Sequence, residues 1–236
     1  MVTKQRTVML ASDLTALWLT IKLAFITAAI LLVICIPLAW QLASYKGKLK
    51  PILEALIAMP LVLPPTLMGF YLLVLFSPTH AFGQFWFWLT GTQLAFSFQG
   101  VVIGSLFYSL PFVMQPLLAG FKQINTTYDQ AAIALGISPF KRFMYLTLPL
   151  LKPSIGSAFA LGFAHTLGEF GLVLMIGGNI QGETQVVSIA LYDHVESLNY
   201  GAAHQLSLVL LAMAFACLVL LFKFNKTVIN GAANRA

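Results

Sequence analysis

Residues Tyr128 to Ile155 read YDQAAIALGISPFKRFMYLTLPLLKPSI, the one amphipathic, charged stretch of any length set between apolar runs long enough to cross a bilayer. Ala131, Ala132 and Gly136 are small enough to let another backbone approach closely. Lys141 and Arg142 keep the segment in water. Such a stretch is suited to docking a partner outside the membrane.

Working outward, the flanks define the class. The 236 residues are 59% hydrophobic and only 8% charged, with a mean hydropathy of +0.89. A soluble domain needs far more charge on its surface, so the chain is an all-α polytopic membrane protein. A hydrocarbon core about 30 Å thick takes roughly 20 apolar residues per helix. Five runs qualify: Ala16 to Leu42, Ile52 to Phe76, Gly100 to Phe121, Ser154 to Ile176 and Gln205 to Phe222. The first run is too long for a cleavable signal, carries Lys22 and ends without a small-residue cleavage site, so it is expected to persist in the mature protein. The segment before Ala16 is open to reading as a short interfacial helix broken by Asp13. Residues 1–236 are expected to form one transmembrane domain, with a cytoplasmic loop over about 122–152.

Basic residues set the orientation. Lys46, Lys48 and Lys50 follow the first run, Lys122, Lys141, Arg142 and Lys152 the third, and Lys223, Lys226 and Arg235 the fifth, which places ten of the thirteen on one face. The loops on the other face, roughly 77–99 and 177–204, hold none. By the positive-inside rule the Tyr128 to Ile155 stretch and the C-terminus are cytoplasmic. Lys4 and Arg6 oppose this, and an additional N-terminal span would reconcile them. The net charge of +6 is therefore topogenic and implies no nucleic acid.

Other chemistries find little support. Cys35 and Cys217 sit in apolar runs and read as small buried hydrophobes. His80, His165, His194 and His204 show no metal-ligand spacing, so no metal site is expected, and no nucleophile–base pair suggests an intramembrane enzyme. No G-x-x-x-x-G-K-[ST] loop occurs, so an ATP-driven function requires a separate ATPase.

Two runs contain polar or helix-breaking features. In the second, Pro60, Pro64 and Pro65 precede Thr66 and Gly69, and prolines here release carbonyls and force a kink that serves packing, a translocation path or both. In the fourth, Glu169 lies at membrane depth, where a carboxylate costs a few kcal/mol unless paired or hydrated. His165, one turn earlier, is its nearest candidate partner. Gly168 and Gly171 flank Glu169 and allow close helix approach. A packed structural Glu and a gate-organising Glu are equally open readings; Lys22 reads as a snorkelling side chain. The Gly-rich loop through Asn179 suits plain turns, an oxyanion or a partner, and Leu191 to Asn199, with Asp193 and Glu196, reads as a short external helix that docks a soluble protein.

These stretches resemble a known family. Gln130-Ala131-Ala132, Leu135-Gly136 and Leu148-Pro149 resemble the EAA loop of ABC importer permeases, a short helix, a Gly-centred turn and a second helix that dock on an ATPase. LGEFGLVLMIGGNIQGETQ from Leu167 and PLVLPPTLMGFYLL from Pro60 resemble molybdate permeases of that class, and the likeness spans roughly Leu17 to Phe222. The first position of the loop is Gln130 here, preceded by Asp129, where the family usually has Glu. The resemblance implies a type I importer in a bacterial or archaeal inner membrane. Two copies of this chain would pair with two ATPase subunits carrying ATP-Mg and with a periplasmic oxyanion-binding protein; the chain itself would hold no cofactor. It further implies that Asp129, Gln130, Ala131, Ala132, Leu135, Gly136, Pro139, Lys141, Arg142 and Pro149 couple to the ATPase, while Pro64, Pro65, Thr66, Gly168, Glu169 and Gly171 belong to the path or gate. Molybdate, with tungstate beside it, is the implied cargo. Sulfate or thiosulfate is the alternative, and an ATP-independent secondary transporter is a more distant one.

Overall fold

A computed structural model describes residues 11–124, 130 and 132–233, with side chains through Lys223. The described residues hold helices and no strand. Lys4, Arg6, Tyr128, Asp129, Ala131 and Arg235, all named above, lie outside them.

Helix α1, Ala11–Ser44, runs 34 residues, about 51 Å at 1.5 Å per residue, longer than a hydrocarbon core about 30 Å thick. Asp13 does not break it. The carboxylate sits in the first turn, where the helix dipole favours it, and meets Nε2 of His194 at 2.9 Å.

The second run is not one kinked helix. It divides into α2, Lys50–Ala58, with a tight turn over Met59–Leu61, and α3, Pro65–Phe76. The two axes differ by 104°. Pro64 is extended (φ −57°, ψ 136°), and neither it nor Pro65 has an N–H to continue a helical ladder.

Helix α4, Ala81–Thr90, precedes α5, Phe98–Gln123. The Ser97 hydroxyl accepts the Gly100 N–H at 3.1 Å and caps α5. Past the 130s, α6 covers Pro139–Leu150 and includes a π-helical segment at Phe143–Thr147. It meets α7, Lys152–Leu167, at 67°. The fourth run is broken as well: α7 stops at Leu167, and α8, Gly171–Gly177, begins after an irregular Phe170 (φ −125°, ψ −67°). Continuous hydropathy hides this interruption. Helix α9 covers Val187–Glu196, starting earlier than Leu191, and buries Val187, Ile189 and Ala190. Helix α10, Tyr200–Ala233, is the last described element.

Among the described residues, α1, α5 and Tyr200–Lys223 are each long and apolar enough to span a bilayer, and the two bent pairs bring the total to as many as five crossings. Helix α5 is central, packed by α1, α7 and α8. One core cluster forms around Leu23, Phe76, Leu172 and Ile176 and another around Leu31, Met114, Leu117 and Leu151. Small residues make the closest contacts: a Cβ on Gly104 would lie 2.5 Å from Ile176 Cδ1, and one on Gly162 2.5 Å from Val113 Cγ2. Lipid is as apolar as Leu, so tight packing replaces hydrophobic exclusion as the force between helices.

Candidate functional site

The two helix breaks meet. A Cβ on Gly171 would lie 3.1 Å from Thr66 Cγ2 and 3.5 Å from Pro65 Cβ, while one on Gly69 would come 2.8 Å from Met175 Cβ. Half-helices α3 and α8 therefore lie side by side, and Pro64, Thr66 and Gly168 remain exposed at the junction. The pathway candidates Pro64, Pro65, Thr66, Gly168, Glu169 and Gly171 gather at this one place.

Behind the junction, α5 presents two serines one turn apart. Ser105 Oγ donates to Glu169 Oε2 at 2.8 Å. Ser109 Oγ lies 2.9 Å from His165 Nδ1 and 3.0 Å from Thr166 Oγ1, and the His165 ring stacks on Phe112 at 3.7 Å. His165 is thus held by Ser109 and Phe112, and Glu169 by Ser105. The expected His165–Glu169 pair does not form, because the helix ends between them and their side chains reach successive turns of α5. Glu169 is only 4% exposed, its Oε1 has no hydrogen-bond partner among the described residues, and its carbonyl accepts Ser188 Oγ at 2.6 Å. The break is consequently tied to both α5 and α9.

At one end of the fold, Asn179 has φ 56° and donates Nδ2 to both Asp193 oxygens at 3.2 and 3.0 Å. Gln185 Nε2 adds a bond of 2.9 Å to Asp193 Oδ2. Asn179 and Asp193 turn toward each other and build the loop, whereas Glu196 is exposed. Lys22 is exposed, with Nζ 4.6 Å from the centroid of the Phe98 ring at the start of α5.

At the opposite end, residues 132–134 form a helical turn closed by Gly136 at φ +69°. Ile137 N donates to Ala132 O at 3.0 Å and Gly136 N to Ile133 O at 2.9 Å, the two bonds of a Schellman cap. Ala132 is buried; Gln130, Leu135, Pro139, Lys141 and Pro149 are exposed, and Arg142 is half-buried. Composition alone did not single out the apolar surface here. Leu135 is 77% exposed, Phe140 70% and Tyr145 79%, with Ile133 and Ile137 beside them. Trp40 of α1 packs on Phe143 at 4.8 Å. From this end α7 runs 16 residues, about 24 Å, straight to the break at Gly168.

Residues 35–231 match the family described as binding-protein-dependent transport system inner membrane component. The chain belongs to this family. Within it, a molybdenum transport system permease protein, ModB, of Azotobacter vinelandii is 45% identical over 214 residues, covering 91% of this chain and 95% of that protein. ModB of Haemophilus influenzae is 32% identical over 78% of this chain and 81% of its own length. A sulfate transport system permease protein, CysT, of Escherichia coli is 32% identical over 87% of this chain and 73% of its own. A bacterial ABC transporter involved in the import of the acidic polysaccharide alginate aligns at a TM-score of 0.73, covering 92% of this chain and 79% of that one at 17% identity. A second alginate transporter structure, in complex with an alginate pentasaccharide-bound periplasmic protein, aligns at 0.69 over 90% and 77% of the two chains, again at 17% identity. The fold is that of an ABC importer permease, and a member of this family is a membrane transport component, not an enzyme.

Proposed function

We propose that this chain is the membrane subunit of an ATP-driven molybdate importer, working as a homodimer with two ATPase subunits carrying ATP-Mg and a periplasmic oxyanion-binding protein. The observation that carries the reading is the exposed apolar surface of Leu135, Phe140 and Tyr145, displayed on a capped turn and joined through α7 to the broken helices at Glu169. Water-facing Leu, Phe and Tyr at such exposure mark a partner surface. In this reading residues 1–236 form a single domain. The loop over about 122–152, including Asp129, Gln130, Ala131 and Lys141, docks on the ATPase in the cytoplasm, with the C-terminus on the same side.

Closure of the ATPases on ATP draws the two docking segments together. Each α7 transmits that displacement to the junction of α3 with α8, where backbone breaks concentrate the bending. Ser105 and Ser109 hold the near side of the junction while the far side moves. Glu169 positions the gate and makes no contact with the cargo, because a carboxylate repels a dianion. The bonds of molybdate do not change, and tungstate, a tetrahedral dianion like it, shares the path. Exposed Glu196 belongs to the surface that receives the binding protein, with Asn179 and Asp193 shaping the loop beneath it.

Sulfate import is the second reading, favoured by the 32% identity to CysT; the 45% identity to ModB supports molybdate as the first. The reading is tested by expressing the chain with the candidate ATPase and binding protein. A stable complex hydrolysing ATP in response to molybdate-loaded binding protein is expected. Oxyanion uptake by the chain without any ATPase would overturn it.

A further inference from the structure

Where the ends of α1, α5 and α6 come together they border an open cavity of about 420 Å³, lined by Trp40, Ser44, Lys46, Phe121, Lys122 and Thr147 among others. Its volume lies within the range of small-ligand sites, roughly 300 to 1,000 Å³. The lining is two-natured: two ammonium groups and two hydroxyl-bearing residues stand with Trp40 and Phe121. The groove bounded by Phe25, Phe159 and Leu220, in contrast, carries no charged side chain.

Among the described residues neither ammonium is committed to a tight ion pair. Lys46 is exposed. Lys122 approaches Glu54 at 3.7 Å with the two side chains 59% and 38% exposed, a water-screened contact of little strength that leaves its donors available to an anion. Trp40 lies at the end of a membrane helix, a position where the amphipathic indole favours the headgroup level. A ligand with a negative charge and an apolar part that continues along the helices is complementary to this lining.

We propose that this cavity binds the phosphate headgroup of an anionic phospholipid of the inner leaflet, with Lys46 and Lys122 as its charged contacts and the acyl chains lying along the apolar ends of α1 and α5. Basic pockets between membrane helices on the cytoplasmic side have this specificity for physical reasons: low dielectric beside the site strengthens the ion contact, and the chains add apolar burial. The site also touches the coupling machinery. Thr147 closes the π-helical segment whose other end, Phe143, packs on Trp40. A bound headgroup therefore braces α6 against α1 and α5, so that displacement of the docking segment reaches α7 instead of dissipating in a loose joint. The inner-leaflet placement rests on the orientation proposed above; the binding does not.

The test uses the purified complex of permease and ATPases in phosphatidylcholine nanodiscs doped with phosphatidylglycerol. Retained lipid is counted by native mass spectrometry and ATP hydrolysed per ion transported is measured after reconstitution. Wild type and Lys48→Gln, which removes an exposed lysine outside the cavity, should retain phosphatidylglycerol. Retention should fall about fivefold for Lys46→Gln or Lys122→Gln and roughly twentyfold for the pair, with Lys46→Arg restoring it. Saturating inorganic phosphate should not displace the lipid. Equal retention by the double variant and wild type, or displacement by phosphate alone, would overturn the proposal. Since lipid counting needs no transport, failure here is separable from failure of the molybdate reading.

Discussion

A carboxylate at membrane depth is the costliest single group in the chain, and Glu169 is retained there by one side-chain hydrogen bond, from Ser105 at 2.8 Å. Ser105→Ala leaves the carboxylate buried without that donor, a loss of about 1 to 3 kcal/mol. The thermal unfolding midpoint of the detergent-solubilised protein should drop accordingly, with Ser105→Thr close to wild type. An unchanged midpoint in the Ala variant would remove Ser105 from the account. Gly136 poses a different problem. Nothing lies within 4 Å of a Cβ built there, yet φ is +69°, so a side chain fits in space and is strained in backbone by about 1 to 2 kcal/mol. Gly136→Leu should insert and assemble normally but distort the Schellman cap, leaving ATP hydrolysis uncoupled from uptake in vesicles. Wild-type coupling would contradict the role given to this turn.

At the scale of elements, the proposed docking surface rests on apolar residues that α6 and its preceding turn leave exposed in the chain. Leu135→Ser and Phe140→Ser each remove burial worth about 1.5 to 3 kcal/mol in a docked state. ATPase association should weaken at least roughly tenfold while the permease's own unfolding midpoint stays put; a fall in the midpoint with unchanged association would assign these residues to the fold. Part of this region was legible in the sequence: the small residues around Gly136 mark the turn that the structure closes at φ +69°, whereas the break between α6 and α7 gave no signal. The break before Gly171 was hidden as well: LGEFGLVLMIGG is apolar throughout except for Glu169, and hydropathy is blind to φ and ψ. Contacts distant in the chain were beyond reach. Ser105 with Glu169, and Asp13 with His194, are separated by 64 and 181 positions, and short polar side chains give no sequence signal of their partner. Asp13 was open to reading as a helix breaker because its burial depends on α9, an element that begins at Val187 and not at Leu191.

For the whole molecule, the charge census and the helix count make one joint statement about sidedness. Lys141→Cys and Glu196→Cys, both at exposed positions, should label oppositely. A membrane-impermeant maleimide should reach residue 196 in spheroplasts and residue 141 only after permeabilisation, and the reverse pattern would invert the topology. Helix α10 contacts α7 and α9 yet leaves Leu211, Phe215 and Phe222 more than half exposed, an apolar surface compatible with lipid contact. The most direct test of the central claim is uptake by the complete complex in vesicles, using labelled molybdate challenged with unlabelled tungstate and sulfate. ATP-dependent uptake that tungstate suppresses and sulfate leaves nearly intact is the result expected here. Equal or stronger suppression by sulfate would contradict the assignment of cargo, and uptake without ATP would contradict the mechanism.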